Sequence, residues 1–411
     1  MRKVLIVGAG QAGLQLGLSL QEHSYDVTVM SARTPEEIRG GNVTSTQCMF
    51  HTALQHERDR GLNLWEAEAP DITGLGLSVA APDGSRALDW LGILDNKAQS
   101  IDQRVKIAAW LELFEERGGN VIYQSVTPSE LDSLTARYEL VLVAAGKGEL
   151  AQLFDRDPSR SPYTAPQRTL AVSYVHGAGR RSEHPDRDAV RFNAVPGVGE
   201  LFAIPGYTFS GPCEIPFFEA VPGGPLDAFG DRPGPTEHWN RMLGLIREYV
   251  PWEYERFKDA ELTDPQATLT GKLTPVARKP VTTMPSGGTV LGMADVVVTN
   301  DPITGQGSNN AGKSAASYVD SILARGDEPF DAQWMHDTFE RYWSDAQHST
   351  NWTNAMLQPP PEHVLNLFGA AQHIPAIRNR FVNGFDDPSD FVHWFFDPEL
   401  ADQYLEQVAP H

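Results

Sequence analysis

A glycine motif in the first thirty residues limits the possible folds of this chain more than any other feature. The apolar run Lys3 to Val7 leads directly into Gly8-Ala9-Gly10-Gln11-Ala12-Gly13, and a leucine-rich stretch and a second apolar run, Val27 to Met30, follow. This order predicts strand, turn, helix and strand, the βαβ unit that opens a dinucleotide-binding α/β domain. In such a unit the first glycine permits a tight turn, the second lets the backbone approach a pyrophosphate, and the third allows close packing of helix on strand. Without this context the motif is often only a structural turn.

The end of the second predicted strand lacks the acidic residue that commonly binds a ribose. Ser31 and Arg33 stand there instead. Ser31 is either a hydrogen-bond partner of a ribose hydroxyl or a solvated turn residue. Arg33 is positioned to lie on the adenine or its phosphate. Ribose recognition is therefore the open part of the motif.

A second glycine-rich turn occurs near residue 305. A short apolar strand is followed by Asp295, then Asp301-Pro302, then Gly305-Gln306-Gly307, and a long helix is predicted from Ser308 to Leu323. A glycine turn that leads into a helix exposes backbone N–H groups at the positive end of the helix dipole. We expect this turn to hold an electron-rich, partly anionic group.

The order of the predicted elements divides the chain into parts of different character. A chain of 411 residues is too long for one ordinary core. We predict a discontinuous nucleotide-binding domain, a β-rich domain, and a helical, aromatic C-terminal segment. The nucleotide-binding domain comprises residues 1–74, 96–168 and 281–330. The β-rich domain comprises residues 75–95 and 169–280, and the C-terminal segment comprises residues 331–411.

An amphipathic helix is predicted to begin at Asp102-Gln103-Arg104. Arg104 lies in its first turn, where the helix dipole disfavours a cation. A nearby anion such as a pyrophosphate would explain this position, and the alternative is an exposed arginine.

The segment from Arg39 to Phe50 is rich in glycine and then in small polar residues. It is too long for a tight turn and too polar for a core strand. Ordered loops of this length are usually functional, and a plain surface loop is the alternative.

Composition disfavours several classes of function. The chain has 33 basic and 54 acidic residues and a net charge of −21, which disfavours nucleic acid and anionic membranes as partners. Its two cysteines, Cys48 and Cys213, form no C-x-x-C pair, and no group of residues has metal-ligand spacing, so we expect neither a disulfide framework nor a metal site. No window approaches ~18 uninterrupted apolar residues, so no transmembrane helix is expected. A cytoplasmic location is the default expectation.

Taken together, the motifs resemble a known family. The glycine motif and the C-terminal turn are similar to the glutathione-reductase-type FAD fold of flavin monooxygenases, and further elements resemble the two-component styrene and indole monooxygenases. The elements that carry the resemblance are Gly8–Gly13, Asp102-x-Arg104, the turn at Lys147, Gly292-Met293-Ala294-Asp295, Asp301–Gly307 and Trp352-Thr353-Asn354. The resemblance covers nearly the whole chain. It implies an α/β protein with a Rossmann-like FAD-binding domain, a β-rich substrate domain and a helical C-terminal segment.

The resemblance implies FAD, delivered in its reduced form, as the cofactor. Asp295 is expected to bind the ribitol chain; family members have Gly and Asp adjacent, whereas Met293 and Ala294 separate them here. The turn from Gly305 to Asn310 is expected to place backbone donors at the flavin pyrimidine edge, where they stabilise negative charge on reduced flavin. The expected cofactor-binding residues are Gly8, Gly10, Ala12, Gly13, Ser31, Arg33, Arg104, Val126, Asp295, Pro302, Gly305, Gln306, Gly307, Ser308 and Asn309.

In this family the loop after the second strand lines the substrate pocket. Styrene-type members have Asn and Val at the positions that match Ser45 and Gln47, whereas indole-type members are similar to this chain. Gln47 offers an amide oxygen to an indole N–H, which styrene lacks, and such a hydrogen bond discriminates strongly. Ser45 and Gln47 are therefore the expected catalytic, substrate-positioning residues. The expected substrate contacts are Thr44, Ser45, Thr46, Gln47, Leu75, Ile204, Pro302 and Ile303.

The implied activity is that of the oxygenase component of a two-component monooxygenase, which uses externally reduced FAD and O₂ to epoxidise the indole C2=C3 bond. The product opens to indoxyl and oxidises to indigo. This chemistry requires orientation and exclusion of water rather than an acid–base pair. The expected partner is a separate NADH:FAD oxidoreductase, a flavin reductase, and the family suggests a homodimer. The alternatives are a styrene-type epoxidase, a single-component NAD(P)H-dependent aromatic hydroxylase and a non-catalytic FAD-binding sensor.

Overall fold

The computed structural model describes residues 1–44, 48–146 and 148–409. Its strands are β1 (Lys3–Val7), β2 (Asp26–Ser31), β3 (Ile72–Ala80), β4 (Arg86–Ala98), β5 (Asn120–Tyr123), β6 (Leu140–Val143), β7 (Thr169–Ser173), β8 (Val175–His176), β9 (Asp188–Val195), β10 (Gly199–Thr208), β11 (Gly211–Ala220), β12 (Glu261–Leu262), β13 (Thr268–Lys272), β14 (Val276–Ala277), β15 (Val281–Thr283), β16 (Thr289–Gly292) and β17 (Val298–Thr299). Its α-helices are α1 (Gln11–Glu22), α2 (Pro35–Arg39), α3 (His51–Arg58), α4 (Gln103–Glu116), α5 (Pro128–Leu134), α6 (Glu149–Gln152), α7 (Pro235–Tyr249), α8 (Pro251–Phe257), α9 (Gln306–Arg325), α10 (Ala332–Met356), α11 (Glu362–Ala371), α12 (Pro375–Asn383) and α13 (Pro398–Val408). Short 3₁₀-helices span Ala294–Val296, Pro302–Thr304 and Pro388–His393.

The predicted βαβ unit lies at the centre of a six-stranded sheet with the order β15-β16-β6-β1-β2-β5. Strands β16, β6, β1, β2 and β5 are parallel, and β15 joins the edge in the antiparallel direction. The four residues from Val4 to Val7 are all buried, as expected for a parallel strand that is covered on both faces. Since β2 and β6 flank β1, the strand order reverses at the carboxyl end of β1, where α/β sheets bind their ligands. The predicted α/β class is confirmed.

The three motif glycines occupy the turn at the end of β1, and each has a different environment. Gly8 has a φ of +120°, and a Cβ there would lie 2.7 Å from the backbone of Ala144. A Cβ on Gly13 would lie 2.1 Å from the carbonyl oxygen of Gly8, whereas a Cβ on Gly10 would meet nothing within 4 Å. The turn is therefore closed on its inner side and open at Gly10, as a pyrophosphate-binding turn requires.

A second, nine-stranded sheet has the central order β12-β8-β11-β10-β9-β3-β4, with β7 beside β11 and β13 beside β7. It is antiparallel except for the parallel pair β3 and β9. Its strands come from residues 72–98 and 169–272, whereas the first sheet draws on residues 3–31, 120–143 and 281–292. The domain boundaries given above stay a prediction.

The C-terminal helices pack against both sheets. Helix α10 packs on α9, α12 packs on β4, and an apolar core lies between the second sheet and α11–α13. Trp352 of α10 is fully buried, with its ring 4.6 Å from the rings of both Phe385 and Phe391. Helices α7 and α8 cover the other face of the second sheet. None of the described helices combines the length and apolar character that a membrane span requires.

The closed side of the glycine turn yields a prediction for stability. In Gly13→Ala the added methyl group meets the Gly8 carbonyl, which cannot move without displacing β1. We expect the free energy of unfolding of the FAD-free protein to fall by about 2 kcal/mol, even though alanine favours a helix over glycine. Gly10→Ala is the matched control, because its methyl group enters open space. Equal losses for the two variants in urea unfolding would contradict the proposed packing.

Candidate active site

A cavity of about 850 Å³ lies between the carboxyl end of the first sheet and one face of the second sheet. On the first-sheet side it is lined by Gly146, Asp295 and the turn that leads into α9. A Cβ on Gly146 would lie 2.6 Å from the Cβ of Asp295, so the turn after β6 and the turn after β16 are in close contact. On the second-sheet side the lining is largely apolar. The cavity therefore joins a polar glycine turn to an apolar wall.

The start of α9 forms the polar end of the cavity. The helix runs from Gln306 to Arg325, two residues longer at each end than predicted. Gly305 precedes it in the left-handed conformation, with a φ of +64°, and no side chain caps the helix. Gly305 and Gly307 both line the cavity, with Pro302 beside them. The positive end of the helix dipole is thus directed at a space that suits an electron-rich group.

Two predicted cofactor residues use their side chains to hold this turn. Asn309 is buried, and its amide nitrogen donates to the carbonyl oxygens of Cys48 and Gly305, each at 2.9 Å. Its amide oxygen accepts the N–H of Phe50 at 2.8 Å. The Gln306 amide donates to backbone carbonyls, including that of Phe385 at 3.0 Å. Both side chains therefore position the backbone, and direct contact with a cofactor stays a prediction.

The apolar wall contains all the predicted substrate contacts outside the 44–47 segment. Leu75, Ile204, Pro302 and Ile303 line the cavity. Sequence reasoning missed the aromatic residues that line the cavity, which are Phe50, Phe154, Tyr163, Phe192, Phe202, Phe217 and Phe385. The alternation of Val190 with Phe192, and of Phe202 with Ile204, was the available signal, since residues two apart on a strand share a face.

The predicted catalytic residues Ser45 and Gln47, with Thr46, lie outside the described residues. The chain is fixed on both sides of them. The carbonyl oxygen of Thr44 accepts a hydrogen bond from the Tyr174 hydroxyl at 3.2 Å. Cys48 lines the cavity, and its carbonyl is held by Asn309. The roles of the three intervening residues stay a prediction.

The remaining predicted cofactor residues lie outside the cavity lining, around the βαβ turn. Ser31 is buried, and its hydroxyl donates to the carbonyl of Arg33 at 2.6 Å, so its side chain takes part in a local turn. The Arg33 side chain is exposed. Ala12 is buried in the hydrophobic core around the first sheet, and Val126 is partly buried against that core. Contacts of these residues with a nucleotide stay predictions.

Arg104 is 2% exposed, so the alternative of an exposed arginine is wrong. Its guanidinium forms ion pairs with Asp102 at 2.7 Å and with Asp264 at 2.9 Å. It also donates to the carbonyl of Gly41 at 3.3 Å. The anions beside the Arg104 guanidinium are therefore the carboxylates of Asp102 and Asp264, and Asp264 lies in the turn before β13.

A pair of buried carboxyl groups connects the second sheet to the turn before α9. Glu219 of β11 and Asp301 are 0% and 1% exposed and lie within hydrogen-bonding reach of each other. Burial, reinforced by the negative charge of Asp301, raises the pKa of Glu219 well above its ordinary value. Within the described residues neither carboxyl oxygen of Glu219 finds a donor, so a proton held by Glu219 and donated to Asp301 gives one oxygen of each group a partner. Asp301 also accepts the N–H of Ile303 at 3.1 Å. Sequence reasoning missed Glu219, because one acidic residue in an apolar strand gives no sign of its partner.

The ionisable groups give no sign of a metal centre. Across residues 1–44, 48–146 and 148–409, no group of His, Cys, Asp and Glu side chains is arranged to hold a metal ion.

Comparisons with known proteins agree with this geometry. A family model described as "Styrene monooxygenase A putative substrate binding domain" matches residues 146–256. The chain is 30% identical over 419 aligned residues to the styrene monooxygenase StyA of Pseudomonas fluorescens, with 100% of this chain and 99% of the relative covered. A StyA from Pseudomonas sp. matches to the same extent.

Solved structures share the fold at low identity. The flavin-dependent brominase Bmp2 has a TM-score of 0.70 at 13% identity over 98% of both chains. A flavoprotein/dehydrogenase from Cytophaga hutchinsonii has a TM-score of 0.65 at 14% identity over 95% of both chains. The myxobacterial chondrochloren halogenase CndH has a TM-score of 0.62 at 14% identity, over 100% of this chain and 98% of that one. The predicted combination of a Rossmann-like nucleotide-binding sheet, a β-rich part and C-terminal helices is confirmed.

The carboxyl pair predicts a dependence of stability on pH. A raised pKa in the folded state means that the contribution of Glu219 to stability is fully present below its ordinary pKa and is lost as the pH rises through the raised value. Glu219→Gln keeps a donor for Asp301 but cannot ionise. We therefore expect the stability of the variant relative to the wild type to increase by about 1.4 kcal/mol per pH unit within this window. Melting temperatures from pH ~4.5 to ~8 test this, since the window opens at the ordinary Glu pKa. A difference that is constant with pH would show that Glu219 is ionised in the folded protein.

Proposed function

This chain belongs to the styrene monooxygenase family, whose members are two-component, FAD-dependent epoxidases, and we propose that its own substrate is indole, epoxidised at the C2=C3 bond. The observation that carries the proposal is the single cavity that joins the glycine turn before α9 to an apolar wall. An electron-rich aromatic alkene fits such a wall, and the polar turn provides for the cofactor. The opened epoxide yields indoxyl, which air oxidises to indigo.

The residues around the two glycine turns fit FAD. Open space at Gly10 accommodates a pyrophosphate at the start of α1, and Asp295 at the cavity is suited to the ribitol chain. The N-terminus of α9, from Gly305 to Asn309, is suited to the pyrimidine edge, since backbone donors there stabilise negative charge. Bound reduced FAD supplies the activation of O₂, with one oxygen atom entering the substrate and the other leaving as water.

The protein's own contribution is orientation and exclusion of water. The rings of Phe192 and Phe202 are stacked with centroids 4.6 Å apart, and both residues line the cavity. Ile303 and Leu75 complete the contact surface for a planar ring. Holding reactants in a fixed geometry in a dry site lowers the barrier without an acid–base pair. We assign Ser45 and Gln47 to fixing the polar edge of the substrate, Gln47 by accepting the indole N–H.

Styrene is the second candidate substrate, because both Pseudomonas relatives bear the name styrene monooxygenase. The two candidates share the chemistry and differ in the polar contact. The proposal includes a separate NADH:FAD oxidoreductase as the source of reduced flavin, a homodimer and a cytoplasmic location.

A single-turnover experiment tests the proposed activity. The purified protein is mixed with photoreduced FAD and O₂, and then with indole or with styrene. We expect indigo from indole at a rate at least equal to that of styrene oxide formation. Styrene oxide without indigo would replace indole with styrene as the substrate. Absence of product from both would leave a flavin-binding sensor, and NADH oxidation by the protein with FAD alone would indicate a single-component hydroxylase.

A substitution in the loop separates the two substrates. Gln47→Val removes the amide oxygen and introduces a smaller, apolar side chain. We expect kcat/KM for indole to fall by about 10- to 100-fold, the cost of one unpaired polar group, while styrene epoxidation is preserved. Initial rates on both substrates with the same reduced FAD supply measure this. An equal loss of kcat/KM on both substrates would show that the Gln47 amide oxygen does not accept the indole N–H.

A further inference from the structure

A second cavity, of about 330 Å³, lies on the opposite face of the second sheet from the active site. The alternation of side chains along β9 separates the two cavities. Val190 and Phe192 line the active-site cavity, whereas Ala189 and Arg191 line the second one. Only β9 itself separates the two cavities at this point. Its side chains toward the active site are apolar, whereas Arg191 on the other side is charged.

The central feature of the second cavity is the side chain of Arg191, which is 3% exposed. It lies over Gly76, its register partner on β3, where a Cβ would be 2.8 Å from Nη1 of the arginine. Glycine inside a strand commonly allows such close approach. Within the described residues the Arg191 guanidinium forms no hydrogen bond and no carboxylate forms an ion pair with it, although Glu253 and Asp89 attract it at longer range. A buried guanidinium without a partner is unfavourable, so an acceptor is required.

The carboxylates nearest to Arg191, Glu253 and Asp89, act on it only through longer-range attraction and form their ion pairs with neighbouring arginines. Arg181 forms ion pairs with Glu253 and, at 3.0 Å, with Asp89. Arg256 forms ion pairs with Glu214 and Glu253. Burial, together with the positive charge of Arg181, lowers the pKa of Arg191 to about 10, which leaves it charged at neutral pH.

A second guanidinium in the lining also has no carboxylate. Arg187 donates to the hydroxyl of Thr73 at 3.1 Å and forms no ion pair among the described residues. Arg180 is paired with Asp188 at 2.7 Å. The remaining acid of the lining, Glu68, is exposed at the rim. The inner part of the cavity is therefore cationic in a protein whose net charge is −21.

We propose that this cavity binds a small oxyanion, a phosphate or carboxylate group, between Arg191 and Arg187. The planar guanidinium fork matches both groups in a bidentate manner. The volume lies at the small end of the range for metabolite sites. A small molecule suits the site better than an acidic protein segment, because Arg191 lies almost completely inside the fold. The site is separate from the epoxidation chemistry and does not depend on the proposed substrate.

Titration of the purified protein with inorganic phosphate and with succinate, against chloride at equal ionic strength, tests the proposal and distinguishes the two groups. We expect saturable heat in calorimetry and a rise in melting temperature of about 2 °C at tenfold excess over Kd for at least one of the two anions. A response to phosphate alone assigns the phosphate group, and a response to succinate alone assigns the carboxylate group. No response beyond that of chloride overturns the proposal. Stabilisation by the flavin reductase without a response to either anion would overturn it in favour of a protein contact.

Three variants locate the site. Arg187→Gln, at a partly buried position, is expected to weaken anion binding by about 10-fold, the loss of one charge-assisted hydrogen bond. Arg191→Met is expected to abolish the response and to melt no lower than the wild type in anion-free buffer, because it removes an unpaired buried charge. The matched control is Arg137→Gln, an exposed arginine outside the cavity, which should leave binding unchanged. An Arg191→Met protein that melts lower and responds to the anion as the wild type does would assign Arg191 a purely structural role.

Discussion

The hydrogen bonds of the Asn309 side chain hold together the parts from which the active site is built. One amide group joins the first turn of α9, the Gly305 carbonyl and the backbone on either side of Met49. Because the amide is buried, loss of any of these bonds would leave polar groups unpaired in a region without competing solvent. The start of α9 and the segment from Cys48 to Phe50 are therefore fixed relative to each other. No acid–base residue is needed when geometry itself is the contribution of the protein.

The carboxyl pair of Glu219 and Asp301 plays the same part between the two sheets. Asp301 begins the turn that carries Pro302 and Ile303 to the cavity, and Glu219 belongs to a strand of the apolar wall. A shared proton leaves the pair with one negative charge, whereas two carboxylates would repel each other at short range. The apolar wall and the turn before α9 thus meet through a hydrogen bond that forms only while one of the two carboxyl groups is protonated.

The sequence predicts local features of this fold well and long-range partners poorly. The unit around Gly8 to Gly13 and the helix after Gly305 were predicted because strand, turn and helix signals adjoin in the chain. Leu75 and Ile204 were found through a family resemblance, since nothing local indicates that two strands share a cavity. The partner of Arg104 was predicted to be an anion, and the structure provides Asp264, which becomes a neighbour only after the second sheet forms. Glu219 and Arg191 were missed for the same reason: a single charged residue in a strand gives no indication of what lies across the sheet.

The two cavities show how one strand can serve two chemistries. A β-strand directs successive side chains to opposite faces, so β9 presents Val190 and Phe192 to the active-site cavity and Arg191 and Asn193 to the opposite side. Asn193 accepts hydrogen bonds from Arg181 and, at 2.7 Å, from Trp252, which fixes the polar face against α8. Behind β9 the apolar wall therefore rests on a layer of charged side chains, whereas Leu201 and Phe218 of the neighbouring strands pack on α7 and α8 in a hydrophobic core. A buried charge without a partner weakens such a layer, and Arg191 is the member for which the described chain supplies neither a hydrogen bond nor an ion pair. An anion that completes the layer would stabilise the same strand that lines the active-site cavity.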